Sequence, residues 1–324
     1  MSRPRFLAIT GTTASGKTDL SLALAADCDV EIVSMDSRQV YTGMDVGTDK
    51  VSAEGRLVVP HHGLDLVAPD QRYSAGQFAR DVREWIDEIA DRGRLPLLVG
   101  GTGFFLRAVL EPLFAEPAVD EERRMRLRRW LGRLDRAELE RFVRALDPDR
   151  AETAVEGGPQ RMARTIEIAL LTGRSLSWWH AQDRSDGDGV PGVVVLLDLP
   201  RAATVESING RVDRMVERGL VDEVRSLLSQ GYSDADPGMS GTGYREITSH
   251  LRGERTLEEA MEEIRVQTRR YARRQVTWFR HQLPDDAIRI DASEPLERQV
   301  ERVRTAAAAA GLDLADFARS EHDG

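Results

Sequence analysis

Eight residues near the start of the chain have the types and spacing to hold a phosphate: Gly11, Thr12, Thr13, Ala14, Ser15, Gly16, Lys17 and Thr18. Glycines let backbone N–H groups turn inward around an anion, and the N-terminus of a following helix adds partial positive charge. Lys17 is placed to neutralise outer phosphate oxygens, and the Thr18 hydroxyl to hold a magnesium ion. Lysine is rare here: Lys17 and Lys50 stand alone among 45 basic residues. Arginine is too large and forked to act as a point charge inside so tight a loop. The pattern specifies a phosphate, but neither the compound nor its fate.

A second acid and a second glycine turn follow. Asp36 comes directly after the apolar run Glu31-Ile32-Val33-Ser34-Met35 and opens Asp36-Ser37-Arg38-Gln39-Val40-Tyr41. Ligands of open parallel sheets gather at the carboxyl ends of strands, so Asp36 faces the same crevice as the phosphate loop. Its readings are magnesium ligand, general base, or turn and cap residue. Gly100-Gly101-Thr102-Gly103 follows the run Leu95-Pro96-Leu97-Leu98-Val99, and Thr102 either caps the next helix or meets a ligand. The usual second acid of a nucleotide-hydrolysing loop protein is missing from this run. Asp36 is therefore the leading carboxylate, with Asp198 behind it. His61 and His62 are adjacent, so on a strand they point to opposite faces and make a poor metal pair; hydrogen bonding is the simpler role.

The elements that must position these residues read as alternating strand and helix. Phe6 to Ile9 is a strand and Leu20 to Ala26 a helix. Apolar residues at Phe78, Val82, Ile86 and Ile89 give a helix between an N-cap at Ser74 and a stop at Gly93. Beyond residue 115 the character changes. Helices are expected over 121–134, 137–146 and 160–171, and no strand until Val193 to Leu199. Long helices then span 203–218, 221–230 and 256–280, before a short strand at 289–291 and a helix at 295–310. The expected architecture is an α/β, P-loop NTPase-like three-layer parallel sheet with a helical insertion: core 1–115, insertion 116–192, core 193–311, and a disordered tail 312–324.

Composition narrows the class. Of 324 residues 41% are hydrophobic, enough for a large core, and the net charge of −10 argues weakly against nucleic acid. Arginine clusters over 123–133 and 265–280 stand against that acidic background, and local charge matters more than the total. One cysteine, Cys28, excludes a disulfide framework and points to a reducing cytoplasm. No apolar run reaches the ~18 residues of a membrane span. No obligate protein partner is inferred, and a monomer is the default. A phosphate cradle, one acid and flanking arginine stripes suit phosphate chemistry on a large second substrate. A small-molecule kinase fits the same features.

The chain resembles the tRNA dimethylallyltransferases, the tRNA isopentenyltransferase family. The resemblance rests on the residues above together with Gly43-Met44-Asp45-Val46-Gly47-Thr48, Asp147-Pro148-Asp149-Arg150-Ala151, Gln160-Arg161 with Arg164, Gly243-Tyr244-Arg245-Glu246, and Thr268 to Gln275 with Trp278-Phe279-Arg280. It implies that the loop from Gly11 to Thr18 holds the diphosphate of dimethylallyl diphosphate with Mg2+ on Thr18, and that Arg211 adds a clamp. It implies that Asp36 accepts a hydrogen bond or proton from N6 of the tRNA adenosine 3′ of the anticodon. Asp36, Ser37, Arg38, Gln39 and Thr102, with Gln160, Arg161, Met162, Ala163 and Arg164, would contact that flipped base and its neighbours. Arg124 and the helical insertion would grip the anticodon stem. Departures from the family pattern are Thr12 where proline is usual, Gly63 after the histidine pair, and the run Glu156-Gly157-Gly158. The competing readings are the kinase, a prenyltransferase acting on free adenine nucleotides, and a non-catalytic RNA-binding protein.

Overall fold

The structure is a computed structural model and describes residues 3–111, 119–182 and 189–319. These fall into two compact units, one of residues up to 111 together with those from 189 onward, the other formed by the stretch between.

In the first unit β1 (Leu7–Gly11) leads through the phosphate loop into α1 (Lys17–Asp27), followed by β2 (Val30–Ser34), α2 (Ala53–Val58), β3 (His61–His62), α3 (Ala75–Asp91), β4 (Leu95–Gly100) and α4 (Gly103–Leu110). The second unit holds α5 (Glu121–Leu131), α6 (Arg136–Leu146), α7 (Ala151–Glu156), α8 (Pro159–Thr172) and α9 (Leu176–Ala181). The chain then returns to the first unit with β5 (Val193–Asp198), α10 (Arg201–Glu217), α11 (Leu220–Ser229), α12 (Tyr244–Leu251), α13 (Leu257–Gln282), β6 (Ile288–Asp291) and α14 (Leu296–Ala309).

Every pairing in the six-stranded sheet is parallel, in the order β3-β2-β4-β1-β5-β6. A parallel sheet must be covered on both faces, and strand residues alternate accordingly. Leu7, Ile9, Val30, Ile32, Leu95, Leu97, Val193, Val195 and Leu197 share one core with Leu20 and Leu24 of α1 and Val303 and Ala307 of α14. On the intervening positions Ala8, Val33, Leu98, Val194 and Leu196 are equally buried. Helix α3 packs against β2, β4 and α4, and α13 against α4, α10 and β1. The Ser74 side chain accepts from Gln77 N and the Gln77 side chain from Ser74 N, a complete capping box at the expected start of α3.

One expectation needs correction. Residues 312–319 are not a disordered tail: Leu312 and Leu314 are buried, and Ala318 bridges to Cys28 beside α1. Residues 320–324 lie outside the described residues. Strand β3 ends at His62, and the chain turns after it. Asp65 holds a positive φ of 55°, and its carboxylate is tied to Lys50 and Arg56. Burial pushes the Asp65 pKa up, but those two cations hold it below the ordinary carboxylate value. Lys50 is likewise structural, its ammonium buried and donating to Tyr41 O, Asp45 and Asp65.

Candidate active site

The phosphate loop closes on itself through Lys17. Its ammonium donates to Gly11 O at 3.2 Å and Thr12 O at 2.6 Å, while Ala14 takes a positive φ of 63°. Such alternation turns successive N–H groups to the concave side, and the first turn of α1 adds N–H groups that have no partner within the helix. Side chains from the far part of the sequence complete the loop. Ser207 Oγ donates to Ala14 O at 2.8 Å, and Arg211 Nη1 to Thr13 Oγ1 at 3.0 Å. Arg211 thus reaches the loop from α10 and pairs with Asp49 at 3.5 Å. Lys17 titrates low, at about 8, chiefly because burial strips water from its ammonium; Arg211 adds repulsion and Asp36 partly restores the charge.

Asp36 and Thr102 meet at the ends of β2 and β4. Met35 N donates to Val99 O and Thr102 N to Met35 O, which zips the two strand ends together. The approach is close: a Cβ on Gly100 would lie 2.0 Å from Met35 O. Thr102 occupies the N-cap position of α4 without capping it. Its hydroxyl instead accepts from Ser37 N at 3.0 Å. Asp36 Oδ1 accepts from Arg38 N at 2.8 Å, which leaves its other oxygen to the cleft it lines.

Loop, acid and turn line one cleft of about 640 Å³, together with Arg211, Arg214, Arg218, Tyr271 and Gln275. The cleft is therefore cationic around the loop; Asp19 and Asp49 line it as well, Asp49 paired with Arg211 and Arg218, and Asp36, near the glycine turn, is the carboxylate that follows β2. Tyr271 brings its hydroxyl to this turn. Burial and the Asp36 carboxylate push its pKa up to about 12, against a hydrogen bond with Thr102. Arg274 lies 5.7 Å over the Tyr271 ring. Gln39 is held inward: Ser34 Oγ donates to its Oε1, and its Nε2 donates to Thr48 O and Asp49 O. It shapes the loop that carries Asp49. That loop is pinned from below by Glu223, which accepts from Asp45 N, Val46 N, Gly47 N and the Tyr244 hydroxyl. A Cβ on Gly47 would lie 2.6 Å from the Tyr244 ring, so glycine is required there. Arg38 is exposed and donates to Pro237 O. Both histidines do hydrogen-bonding work. His61 Nδ1 meets Val59 O, and His62 meets the buried Glu31, whose pKa burial would raise but Arg92, His62 and Arg94 bring down to about 2.

The residues expected to meet RNA in the helical unit divide in two. Gln160 and Arg161 are exposed at the start of α8. Met162 is 0% exposed in that unit's own core with Leu139, Val143 and Ile166, so it packs rather than contacts a nucleotide. Ala163 is half-buried beside it. Arg124 and Arg164 turn toward buried Glu167, at 3.2 and 2.9 Å, where Arg128 joins them. Their charge is spent largely within the unit. In the stripe on α13, Arg265 pairs with Asp213, and Arg269 with Glu262 and Asn209.

Sequence reasoning assigned no role to Gln275, Tyr271, Ser207, Asp49 or Glu223. Gln275 carried a signal: a polar residue on the buried stripe Ala260, Ile264, Ala272, Gln275, Phe279 of a long helix. Tyr271 lies in the run Thr268 to Gln275 that carries the resemblance; Ser207, Asp49 and Glu223 carried none, because only tertiary contact brings them to the cleft or to the loop beneath it. Among the described residues no group of three or more His, Cys, Asp or Glu side chains could hold a metal by itself, and no helix is long and apolar enough to cross a membrane.

The model of the family described as IPP transferase matches residues 39–282. A protein of Geobacter metallireducens described as tRNA dimethylallyltransferase is 41% identical over 278 residues, 86% of this chain and 90% of its own length. One of Geotalea uraniireducens, tRNA dimethylallyltransferase 2, is 40% identical over 275 residues, 85% and 89% of the two chains. The crystal structure of a tRNA isopentenylpyrophosphate transferase from Bacillus halodurans is 33% identical with a TM-score of 0.69, covering 95% of this chain and 97% of that one. A eukaryotic dimethylallyltransferase acting on tRNA, 24% identical, shares the fold at a TM-score of 0.80 over 99% of this chain and 82% of its own.

Proposed function

The chain belongs to the IPP transferase family, and from that premise we infer its reaction: transfer of the dimethylallyl group from dimethylallyl diphosphate to N6 of the adenosine 3′ of the anticodon in tRNA, with release of pyrophosphate. The observation that carries this reading is the single cleft in which the Gly11–Thr18 loop, Arg211 and Asp36 come together.

The residues account for the chemistry. The bond between the allylic C1 and the diphosphate oxygen breaks as N6 attacks C1, so negative charge grows on the leaving diphosphate. Preorganised donors aimed at that charge lower the barrier most. Lys17, the N–H groups from Ala14 to Thr18 and the Arg211 guanidinium supply them. The attacking exocyclic amine is a weak nucleophile and becomes cationic as its bond to C1 forms. Asp36 accepts a hydrogen bond from it and then its proton. The turn at Gly100-Gly101-Thr102 holds the Asp36 backbone in place, and Tyr271 closes the cleft beside it. The base has to leave its stack to reach this point.

Magnesium fits the Thr18 hydroxyl, which lines the cleft at the end of the phosphate loop. This ion commonly takes one or two protein ligands, with phosphate oxygens and water completing its shell. When bound, it would supply further charge neutralisation on the diphosphate. A tRNA substrate makes the cytoplasm the site of action.

The test is transfer of labelled prenyl from dimethylallyl diphosphate, with magnesium, to unmodified tRNA, to AMP and to no acceptor. Label in tRNA alone, lost in Lys17→Ala, is the expected result. Label in AMP would move the protein to nucleotide prenylation. No label together with ATP turnover would make it a kinase.

A further inference from the structure

Helix α13 reaches the cleft from the opposite end of the sequence, and one of its side chains touches both glycine turns. Gln275 is 6% exposed and lies on the stripe that α13 otherwise buries with Ala260, Ile264, Ala272 and Phe279. Its Oε1 accepts from Thr13 N at 2.9 Å, and its Nε2 donates to Gly101 O at 2.8 Å. The two bonds fix the amide's orientation, because a flip would set N–H against N–H and oxygen against oxygen. The fit is close on the far side too. A Cβ on Gly101 would come within 2.5 Å of Gln275 Nε2.

These contacts have two consequences. The Thr13 N–H is committed to Gln275, so the anion-binding part of the loop begins at Ala14. And the loop is tied, through one rigid amide, to the turn whose next residue is Thr102. Thr102 in turn accepts from Ser37 N, next to Asp36. A single side chain therefore spans from the cradle of the leaving group to the segment that holds the proton acceptor.

We propose that Gln275 is a positioning residue for prenyl transfer: it sets the separation of the diphosphate loop from the Gly101 turn and so from Asp36. This rests on the transfer reading given above. A misplacement of about 1 Å between reacting groups costs on the order of 100-fold in rate without weakening either substrate's binding. The signature is thus a loss in rate with binding kept.

The experiment uses the full-length protein with tRNA and dimethylallyl diphosphate. Gln275→Leu removes both bonds at similar volume. Expected is a 10- to 100-fold drop in single-turnover transfer, with KM for each substrate within about threefold of wild type. Gln275→Glu adds a readout that a purely packing role would not move. The introduced carboxyl can accept from Thr13 N in either state, but donates to Gly101 O only when protonated. Its rate relative to wild type should climb at least threefold as pH falls from about 8 to about 6. Amide exchange at Thr13, followed without substrate, should speed up in Gln275→Leu. Transfer within threefold of wild type by Gln275→Leu overturns the proposal. So does a loss confined to KM, a pH-independent Gln275→Glu ratio, or unchanged exchange at Thr13. Failure of wild type itself to prenylate tRNA would sink the reaction instead, and the exchange measurement would still decide the role of Gln275.

Discussion

Diphosphate affinity should fall as pH rises through about 8, and the fall should trace to Lys17. Its ammonium is sunk among Gly11 O and Thr12 O, and it titrates near 8 because it is buried and faces Arg211. The sign follows from linkage. A diphosphate binds the charged form, so its own charge raises the Lys17 pKa in the complex. Free protein loses the proton above pH 8, and binding must then take one up. Between pH 7.5 and 9 the protonated fraction of a group titrating at 8 drops from about three quarters to about one tenth, a roughly eightfold weakening. The assay is calorimetric titration with a non-reacting diphosphate monoester in two buffers of different ionisation enthalpy. Near pH 8 it should register uptake of about half a proton, falling to none well below it. The variants should shift the inflection in opposite directions. Arg211→Met removes a like charge and moves it up even as affinity drops, whereas Asp36→Asn removes an opposite charge and moves it down. An affinity flat across this range, with no proton uptake, would refute the assignment of the low pKa to Lys17.

Three further outcomes are expected. Asp36→Asn keeps the acceptor oxygen used by Arg38 N but removes the carboxylate, so single-turnover transfer should fall about 100- to 10,000-fold, while circular dichroism stays unchanged. Glu167→Gln leaves Arg124, Arg128 and Arg164 without their common anion. Removing one partner of a buried pair costs about 3–5 kcal/mol, and the partial exposure of the arginines reduces this to about 2; thermal melting read by tryptophan fluorescence in the helical unit checks it. Burial raises the Glu167 pKa but the arginines lower it overall, so this stabilisation is present above the unfolded carboxylate pKa and disappears as pH falls through the folded value. Thr12 Oγ1 is buried with no partner among the described residues, and Thr12→Val removes that cost at equal shape, so melting should rise by the equivalent of about 1 kcal/mol.

The parts of the site that were legible in the sequence are those where local backbone geometry and chemistry coincide. Gly11 to Thr18 announces its own turn, and Asp36 follows a strand whose burial is written in consecutive apolar residues. Thr102 was readable as a strand-to-helix residue, but the choice between cap and ligand contact could not be made. Its hydroxyl goes to Ser37 N, on a strand end paired only in the folded sheet. Arg124 shows the opposite case. A run of arginines on an exposed-looking helix reads as a basic face. Glu167, 43 positions later, lies on another helix, and only packing brings the two together. The short helices α2, α7, α9 and α12 escaped because a stretch of six to eight residues offers too few turns for periodicity to register.

On the proposed reading, the order of strands suits this cradle to transfer to a large acceptor. The diphosphate loop follows β1 and Asp36 follows β2, but β4 lies between them in the sheet. Two inter-strand spacings put the two strand ends about 10 Å apart. That gap is wide enough for an allylic carbon carried by a diphosphate on one side and a purine amine entering from the other. Both must converge above the end of β4, and the residues there are Gly100, Gly101 and Thr102, the first two too small to obstruct the approach. A side chain at Gly100 would strike Met35 O, and one at Gly101 would strike Gln275. The bare turn over β4 is thus enforced by the packing beneath it as well as by the substrates above. The separation of donor and acceptor is then a property of the sheet, and only its fine adjustment is left to the side chains of α13.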